Sequence, residues 1–529
     1  MKDSRDSPRT AVIIGAGFSG LATAALLARD GLDVTVLEAR DSLGGRAGEW
    51  RRQGFRFETG PSWYLMPEAF DRFFEDMGTT TAEELELIPL DPAYRVFFEE
   101  QDQPFDLPDQ DSLGALQELE HTPGSLAAYM RSAEGTCRLA TDRLLYSAYD
   151  SVQDFTDPEL LRRLPRLLKL LFEPLERFIG RHTSDSRVQK ILGYPAVFLG
   201  TSPTSAPSLY HLMSHLDINQ SVLYPRGGFS AVVEAVARLA RQHGAHLHTG
   251  HRVTEVLTEG RRVTGVRFTG PDGEHHTLTA DIVVSSADMH HTESALLAPA
   301  FRSRSTASWR RRNPGPGAVL ALLGVEGELP ELAHHSLFFT EDWQRGFEEI
   351  DGVRPASGPP RSLYVCRPSA TDEVAPPGHE NLFVLIPVRA DPGIGAGGID
   401  GDGSPLVERT VAEAIDQIAS WAGIPDLASR VRVRRSIGPA DFESEFGAWR
   451  GGALGPAHTL GQSAFLRGPI RSAKLNGLYY AGSTTMPGIG VPMCLISAEL
   501  VRTSVRRGPQ KSLSKLFQHR RRRQEVHRA

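Results

Sequence analysis

The first forty residues constrain the fold more than any other stretch. Ala11-Val12-Ile13-Ile14 is a short, β-branched run that ends at Gly15-Ala16-Gly17-Phe18-Ser19-Gly20 and passes directly into Leu21-Ala22-Thr23-Ala24-Ala25-Leu26-Leu27-Ala28. Strand, glycine turn and helix in this order form a cradle for a pyrophosphate. Gly15 permits the tight turn, Gly17 lets the backbone approach phosphate, and Gly20 lets helix pack on strand. The first helical turn, with Phe18 and Ser19, presents unpaired N–H groups to an anion. A second strand, Val34-Thr35-Val36-Leu37, ends in Glu38, about twenty residues beyond the glycines, where a carboxylate suits ribose hydroxyls and repels a 2′-phosphate.

Leu43-Gly44-Gly45-Arg46-Ala47 and Phe57-Glu58-Thr59-Gly60-Pro61-Ser62 come next. The segment from Glu38-Ala39-Arg40 to Gly44-Gly45-Arg46 resembles the extended dinucleotide signature of the FAD family that includes amine oxidases, carotenoid desaturases and GDP-dissociation inhibitors. That resemblance implies FAD, with the Gly-Gly-Arg backbone and the planar, permanently charged Arg46 lying along phosphates and flavin. Gly60, Pro61 and Ser62 extend the same site.

Further along, Tyr224-Pro225-Arg226-Gly227-Gly228-Phe229 precedes an amphipathic helix from Ser230 to Gln242, and Asp281-Ile282-Val283-Val284-Ser285-Ser286-Ala287-Asp288 reads as a buried strand ending in a loop. Gly477-Leu478-Tyr479-Tyr480-Ala481-Gly482 is a closing strand. It is followed by Ser483-Thr484-Thr485-Met486-Pro487-Gly488-Ile489-Gly490-Val491-Pro492, whose glycines and prolines let backbone lie against a flat ligand, and then by a helix whose N-terminus can face the flavin. This closing pattern resembles bacterial-type phytoene desaturases, as does Phe442-Glu443-Ser444-Glu445-Phe446-Gly447 running on to Phe465. By the resemblance Val253 lies near the adenine, and Gly482, Gly490, Val491 and Pro492 complete the flavin site.

The implied architecture is α/β: a Rossmann-type FAD-binding domain of the glutathione reductase and amine oxidase kind, interleaved with a mixed α+β substrate domain. Residues 1–70, 221–295 and 441–507 are assigned to the first; 71–220 and 296–440 to the second; and 508–529 form a basic, disordered tail. A chain of 529 residues suits two domains. The Gly393 to Ser404 loop reads as mobile surface.

The formal charge of −7 argues against a general nucleic-acid binder. Three cysteines without C-x-x-C spacing suggest neither a disulfide framework nor zinc, and Cys494 reads as buried packing. His246, His248, His290 and His291 lack companion ligands, so no metal is expected. No segment reaches the ~18 apolar residues of a membrane span, and the start is no signal peptide. Between Leu160 and Phe172, leucines alternate with Arg162, Arg163, Arg166 and Lys169, a composition that fits an interfacial helix or one capping an internal core. Pro165 and Pro174 are expected to kink or divide it. The expected location is the cytoplasm, on the cytoplasmic face of the membrane, with Arg520 to Arg523 adding attraction to anionic lipid.

The resemblance implies removal of hydrogen from a phytoene-like hydrophobic polyene, with quinone or oxygen reoxidising the flavin, since no second nucleotide fingerprint is visible. A carotene isomerase, a diapophytoene-type desaturase, an amine oxidase and a cofactor-free lipid carrier remain alternatives on the same scaffold. Asp157 falls where the family places an acid beside an arginine, but its neighbour here is Thr156. It is a candidate catalytic residue, or a helix cap ahead of Pro158.

Overall fold

The computed structural model describes residues 9–120, 125–147, 158–463 and 466–508. Asp157, Phe465 and the basic tail lie outside the described residues.

A five-stranded parallel sheet carries the opening motif. Its spatial order is Leu478–Tyr480, Ile282–Ser285, Thr10–Ile14, Asp33–Leu37 and His246–His248, so strands far apart in sequence are neighbours. Alternation sends Ala11, Ile13, Val34 and Val36 to one face and Val12, Ile14 and Leu37 to the other. The first face is covered by the helices Phe18–Arg29, Gly228–Gln242 and Val491–Arg507. Across the second lies a three-stranded antiparallel sheet, Arg252–Glu259, Arg262–Thr269 and His275–Thr279, which contributes Val256, Val263 and Val266. Burial of both faces explains why the strands are uniformly apolar.

The helix Pro67–Asp76 runs across residue 71. Ala69, Phe70, Phe73 and Phe74 share one face and pack into the core beneath the parallel sheet, together with Met77 and Leu85. Their spacing makes a stripe that is stable only when buried, and the nearest apolar surface is that of the nucleotide-binding half.

A seven-stranded sheet forms the second half, ordered Val431–Ile437, Gly317–Glu326, His379–Val388, Leu363–Cys366, His335–Phe339, Tyr94–Phe98 and Phe105–Leu107. In its long second strand, Gly317–Glu326, Ala318, Leu320 and Leu322 point to the inner core, while Val319, Ala321, Leu323 and Val325 point outward under the helix Pro405–Trp421. Helices from residues 112 to 219 close the inner side.

The segment Gly393 to Ser404 is not a loose loop. Asp400 N–H donates to Arg434 O at 2.9 Å, Ser436 N–H to Gly398 O at 2.8 Å and Gly397 N–H to Asp441 Oδ2 at 2.6 Å. A Cβ on Gly397 would lie 2.0 Å from Ser436 O, so the glycine there serves close approach.

Candidate active site

A single cavity of about 1010 Å³ runs from the opening glycines to the inner face of the seven-stranded sheet. Gly15, Gly17, Phe18, Ser19, Glu38, Ala39, Gly44, Gly45, Arg46, Gly60, Pro61, Ser62, Val253, Gly482, Gly490, Val491 and Pro492 all line it. Two residues assigned to the cofactor do not. Gly20 faces the sheet: a Cβ there would sit 2.1 Å from Gly15 O and 2.5 Å from Ser286 Oγ. Arg40 turns aside, its guanidinium 4.8 Å above the Phe446 ring and paired with Glu445 at 3.3 Å.

The cradle is held from below. Glu38 Oε2 accepts from Ala16 N–H at 2.6 Å and Oε1 accepts from Arg40 N–H at 2.9 Å, which locks the carboxylate beside the turn while leaving lone pairs for hydroxyl groups. Ser286 Oγ donates to Ile14 O and Gly15 O, tying the returning strand to the same turn. A Cβ on Gly17 would meet nothing within 4 Å, so this position opens directly onto the cavity. Gly60 is the reverse case, because a Cβ there would fall 2.1 Å from Arg46 O.

Arg46 supplies the test of fit. Its Nη1 reaches Ser483 Oγ only at 3.5 Å, and its buried Nε has no partner among the described residues. Burial draws its pKa down while the nearby Asp288 opposes that shift. A guanidinium so placed in a cavity wall calls for an electron-rich acceptor such as a phosphate or a flavin carbonyl. With the glycine cradle and the Glu38 carboxylate, the residues present fit a dinucleotide with a flavin. Asp288, Phe442 and Phe446 also line this end. Asp288 caps Met289–His291 through the N–H groups of His290 and His291 and accepts from Trp449 N–H. The sequence signals for these were the strand ending at Asp288 and the spacing of Phe442 and Phe446.

Cys494, expected to be buried packing, packs against the core beneath the parallel sheet and also lines the cavity, in the first turn of the closing helix. Its dry surroundings push the thiol up to about 12, so it stays protonated.

Beyond the cradle the walls become apolar. The sheet contributes Leu320, Phe383 and Leu385; Leu209, Leu212, Met213 and Leu216 face it; and Leu164, Leu167, Leu168 and Leu171 come from the helix Pro158–Phe172. Leu164 and Leu168 line the cavity and are also 43% and 44% exposed, with Phe172 at 66%, so this helix forms the rim of the opening. Pro165 lies within the helix without dividing it, and Pro174 stands beyond its end. A proline removes one i→i−4 bond, which the leucine face lining the cavity offsets.

Two tyrosine–histidine pairs interrupt the apolar walls. Tyr210 Oη and His458 Nδ1 are 2.6 Å apart, and His458 Nε2 accepts from Ile489 N–H. Tyr364 Oη bonds Ser62 Oγ at 2.7 Å and His335 Nδ1 at 2.8 Å. His334, His335 and Cys366 bring potential ligand atoms within 4.8 Å of one another, away from the four histidines singled out in the sequence. All of these pairings join distant segments, which periodicity in a single chain does not reveal.

A profile described as flavin containing amine oxidoreductase matches residues 18–501. A carotenoid 3,4-desaturase of Haloarcula japonica is 38% identical, over 92% of this chain and 96% of the relative. A zeta-carotene-forming phytoene desaturase of Myxococcus xanthus is 34% identical, over 93% of each chain. Among solved structures, putrescine oxidase bound to putrescine superposes with a TM-score of 0.59 at 16% identity, covering 95% of this chain and 99% of that one, which establishes a shared fold.

Proposed function

The chain belongs to the flavin-containing amine oxidoreductase family, and from that premise we propose that it is an FAD-dependent carotenoid desaturase acting on phytoene or a close polyene relative. The observation that carries this reading is the unbroken cavity joining a dinucleotide cradle to an apolar tunnel whose rim carries exposed leucines. Its size, about 1010 Å³, is at the upper end for a pocket holding a single drug-sized ligand and suits a cofactor together with part of a long chain.

The backbone at Gly15, Gly17, Phe18 and Ser19 would hold the phosphates and Glu38 the ribose, with Val253 beside the adenine. Gly44, Gly45, Arg46, Gly60, Pro61 and Ser62 would flank the flavin, and Gly482, Gly490, Val491 and Pro492 would close over it. When bound, FAD supplies the two-electron acceptor for a hydrogen leaving an allylic carbon with its bonding pair. The chain's part is positional. Leu320, Phe383 and Leu385 offer a polyene no hydrogen bonds, only close apolar contact, and they keep water from the reacting carbons.

The rim helix gives the substrate its route. Leu164, Leu168 and Phe172 are exposed beside basic residues, a surface suited to the headgroup boundary of a bilayer on the cytoplasmic side. No helix among the described residues is long and apolar enough to cross a membrane. A lipid-borne polyene entering here would reach the cavity without crossing water, and a membrane quinone or oxygen would take the electrons onward.

The test is to incubate the purified yellow protein with phytoene in liposomes and a quinone, and to follow absorption. A parallel sample receives an already conjugated carotene, because a 3,4-desaturase is among the relatives. A red-shifted product in either supports the proposal. No shift in both, with hydrogen peroxide formed from putrescine, would replace it by an amine oxidase.

A further inference from the structure

Desaturation, the reading on which this inference rests, requires a proton acceptor as well as an oxidant. In the tunnel wall the group hydrogen-bonded to Ser62 is the Tyr364 hydroxyl. Phe383, Leu385 and Leu320 are apolar, and Tyr364 is the polar side chain set among them. Behind it the hydrogen bonds continue inward from Ser62 Oγ through Tyr364 Oη to His335 Nδ1, at 2.7 and 2.8 Å.

We propose that Tyr364 and His335 form a proton relay, in which the Tyr364 hydroxyl takes the proton lost by the polyene as it passes its own to His335 Nδ1. The balance is complete. One allylic carbon loses a hydrogen with its electron pair to the bound FAD, oxidising the substrate by two electrons. The neighbouring C–H bond then breaks, its electrons become the new double bond, and its proton moves onto Tyr364 Oη while the tyrosine proton moves onto the imidazole. The imidazole would return its proton along the same path to the quinone or oxygen that takes up the two electrons, since that acceptor must gain protons to be reduced.

Three features select this pair. His335 is fully buried, and its Nδ1 stands directly behind the Tyr364 hydroxyl that faces Ser62. A weak base is sufficient here: once a hydrogen has left with its electrons, the remaining carbocation is a far stronger acid than an imidazolium. Second, His335 lies flat on Trp63, with centroids 4.3 Å apart and planes at 8°, so the indole face stabilises the cation while it exists. Third, the alternative pair is poorly suited. His458 Nε2 is occupied by Ile489 N–H, and Arg467 beside it opposes a second positive charge.

The same imidazole belongs to the His334–His335–Cys366 group, and its Nε2 has no partner among the described residues. The relay leaves that nitrogen free of metal.

The experiment uses the FAD-loaded enzyme with phytoene in liposomes. Tyr364→Phe removes only a hydroxyl, and His335→Gln removes the acceptor. Each is expected to lower kcat on the order of 10²-fold with KM and FAD content unchanged, and the double variant to be no slower than the slower single one. Phytoene deuterated separately at the two reacting carbons supplies the readout that a structural role would not move. In both variants the isotope effect at the proton-losing carbon should grow while that at the other carbon shrinks. Unchanged isotope effects in Tyr364→Phe, or one equivalent of zinc lost on Cys366→Ser, would overturn the relay. A wild-type enzyme that forms no product from phytoene or from an already conjugated carotene would instead overturn the desaturase reading itself.

Discussion

Asp217 offers a quantitative test of the packing behind the tunnel. It is 2% exposed, its Oδ2 accepts from Tyr194 Oη at 2.7 Å and from Tyr94 Oη at 3.3 Å, and its Oδ1 has no partner among the described residues. Burial outweighs the two hydroxyl donors and raises the carboxyl from 3.8 to about 7. Below pH 4 the group is protonated whether the chain is folded or not. Between about pH 4 and pH 7 the unfolded chain releases this proton while the folded one retains it, so stability falls as pH rises through that window and levels off above it. At ~1.4 kcal/mol per pH unit the loss reaches on the order of 4 kcal/mol. Asp217→Asn keeps the shape and cannot ionise. Urea unfolding at pH 5 and pH 8 should therefore show a markedly smaller loss for Asp217→Asn than for the parent protein. Equal losses in the two proteins would refute the assignment.

Four further outcomes follow from the geometry. Gly17→Ala should melt close to wild type but retain less FAD, measured by absorbance per polypeptide, because its methyl meets no protein atom and enters the cradle; Gly20→Ala should instead cost about 1–3 kcal/mol of stability, read as a lower melting midpoint, because its methyl overlaps Gly15 O at 2.1 Å. Arg46→Lys should weaken FAD about 10- to 100-fold in a fluorescence titration, the cost of about 1.5–3 kcal/mol for a charge-assisted hydrogen bond. Leu164→Glu with Leu168→Glu should reduce co-sedimentation with anionic liposomes without lowering FAD content; unchanged sedimentation would refute the proposal that the rim helix meets a bilayer.

What could be read in advance was whatever is dictated by local backbone need. Gly15, with φ +94°, and Gly490, with φ +120°, occupy conformations that demand glycine, and each marks its turn in the bare sequence. The strands beginning at Ala11 and Ile282 were visible as apolar runs because both faces of the sheet are covered. Tertiary partnership was not visible. Phe70, Phe73 and Phe74 announce a buried face without saying against which half of the molecule, and Gly397 signals flexibility in a sequence but close packing in the fold. Tyr364 and His335 lie on neighbouring strands, yet their link to Ser62 spans some 300 positions of chain, and nothing in either segment announces it. Arg40 belongs to the opening signature but pairs with Glu445, a contact made only when the third segment returns.

The alternation in the strand Gly317–Glu326 has an evolutionary corollary. Ala318 and Leu320 shape the compartment that receives the ligand, whereas Val319 and Ala321 support the outer helix, and each set faces its own core. Enlarging or trimming Ala318 or Leu320 resizes the bore at the cost of one local repacking, while the scaffold beneath is left as it was. Descendants of such a chain can thus explore polyenes of different length or saturation by single steps along one ribbon, with foldability and ligand choice inherited as nearly separate traits.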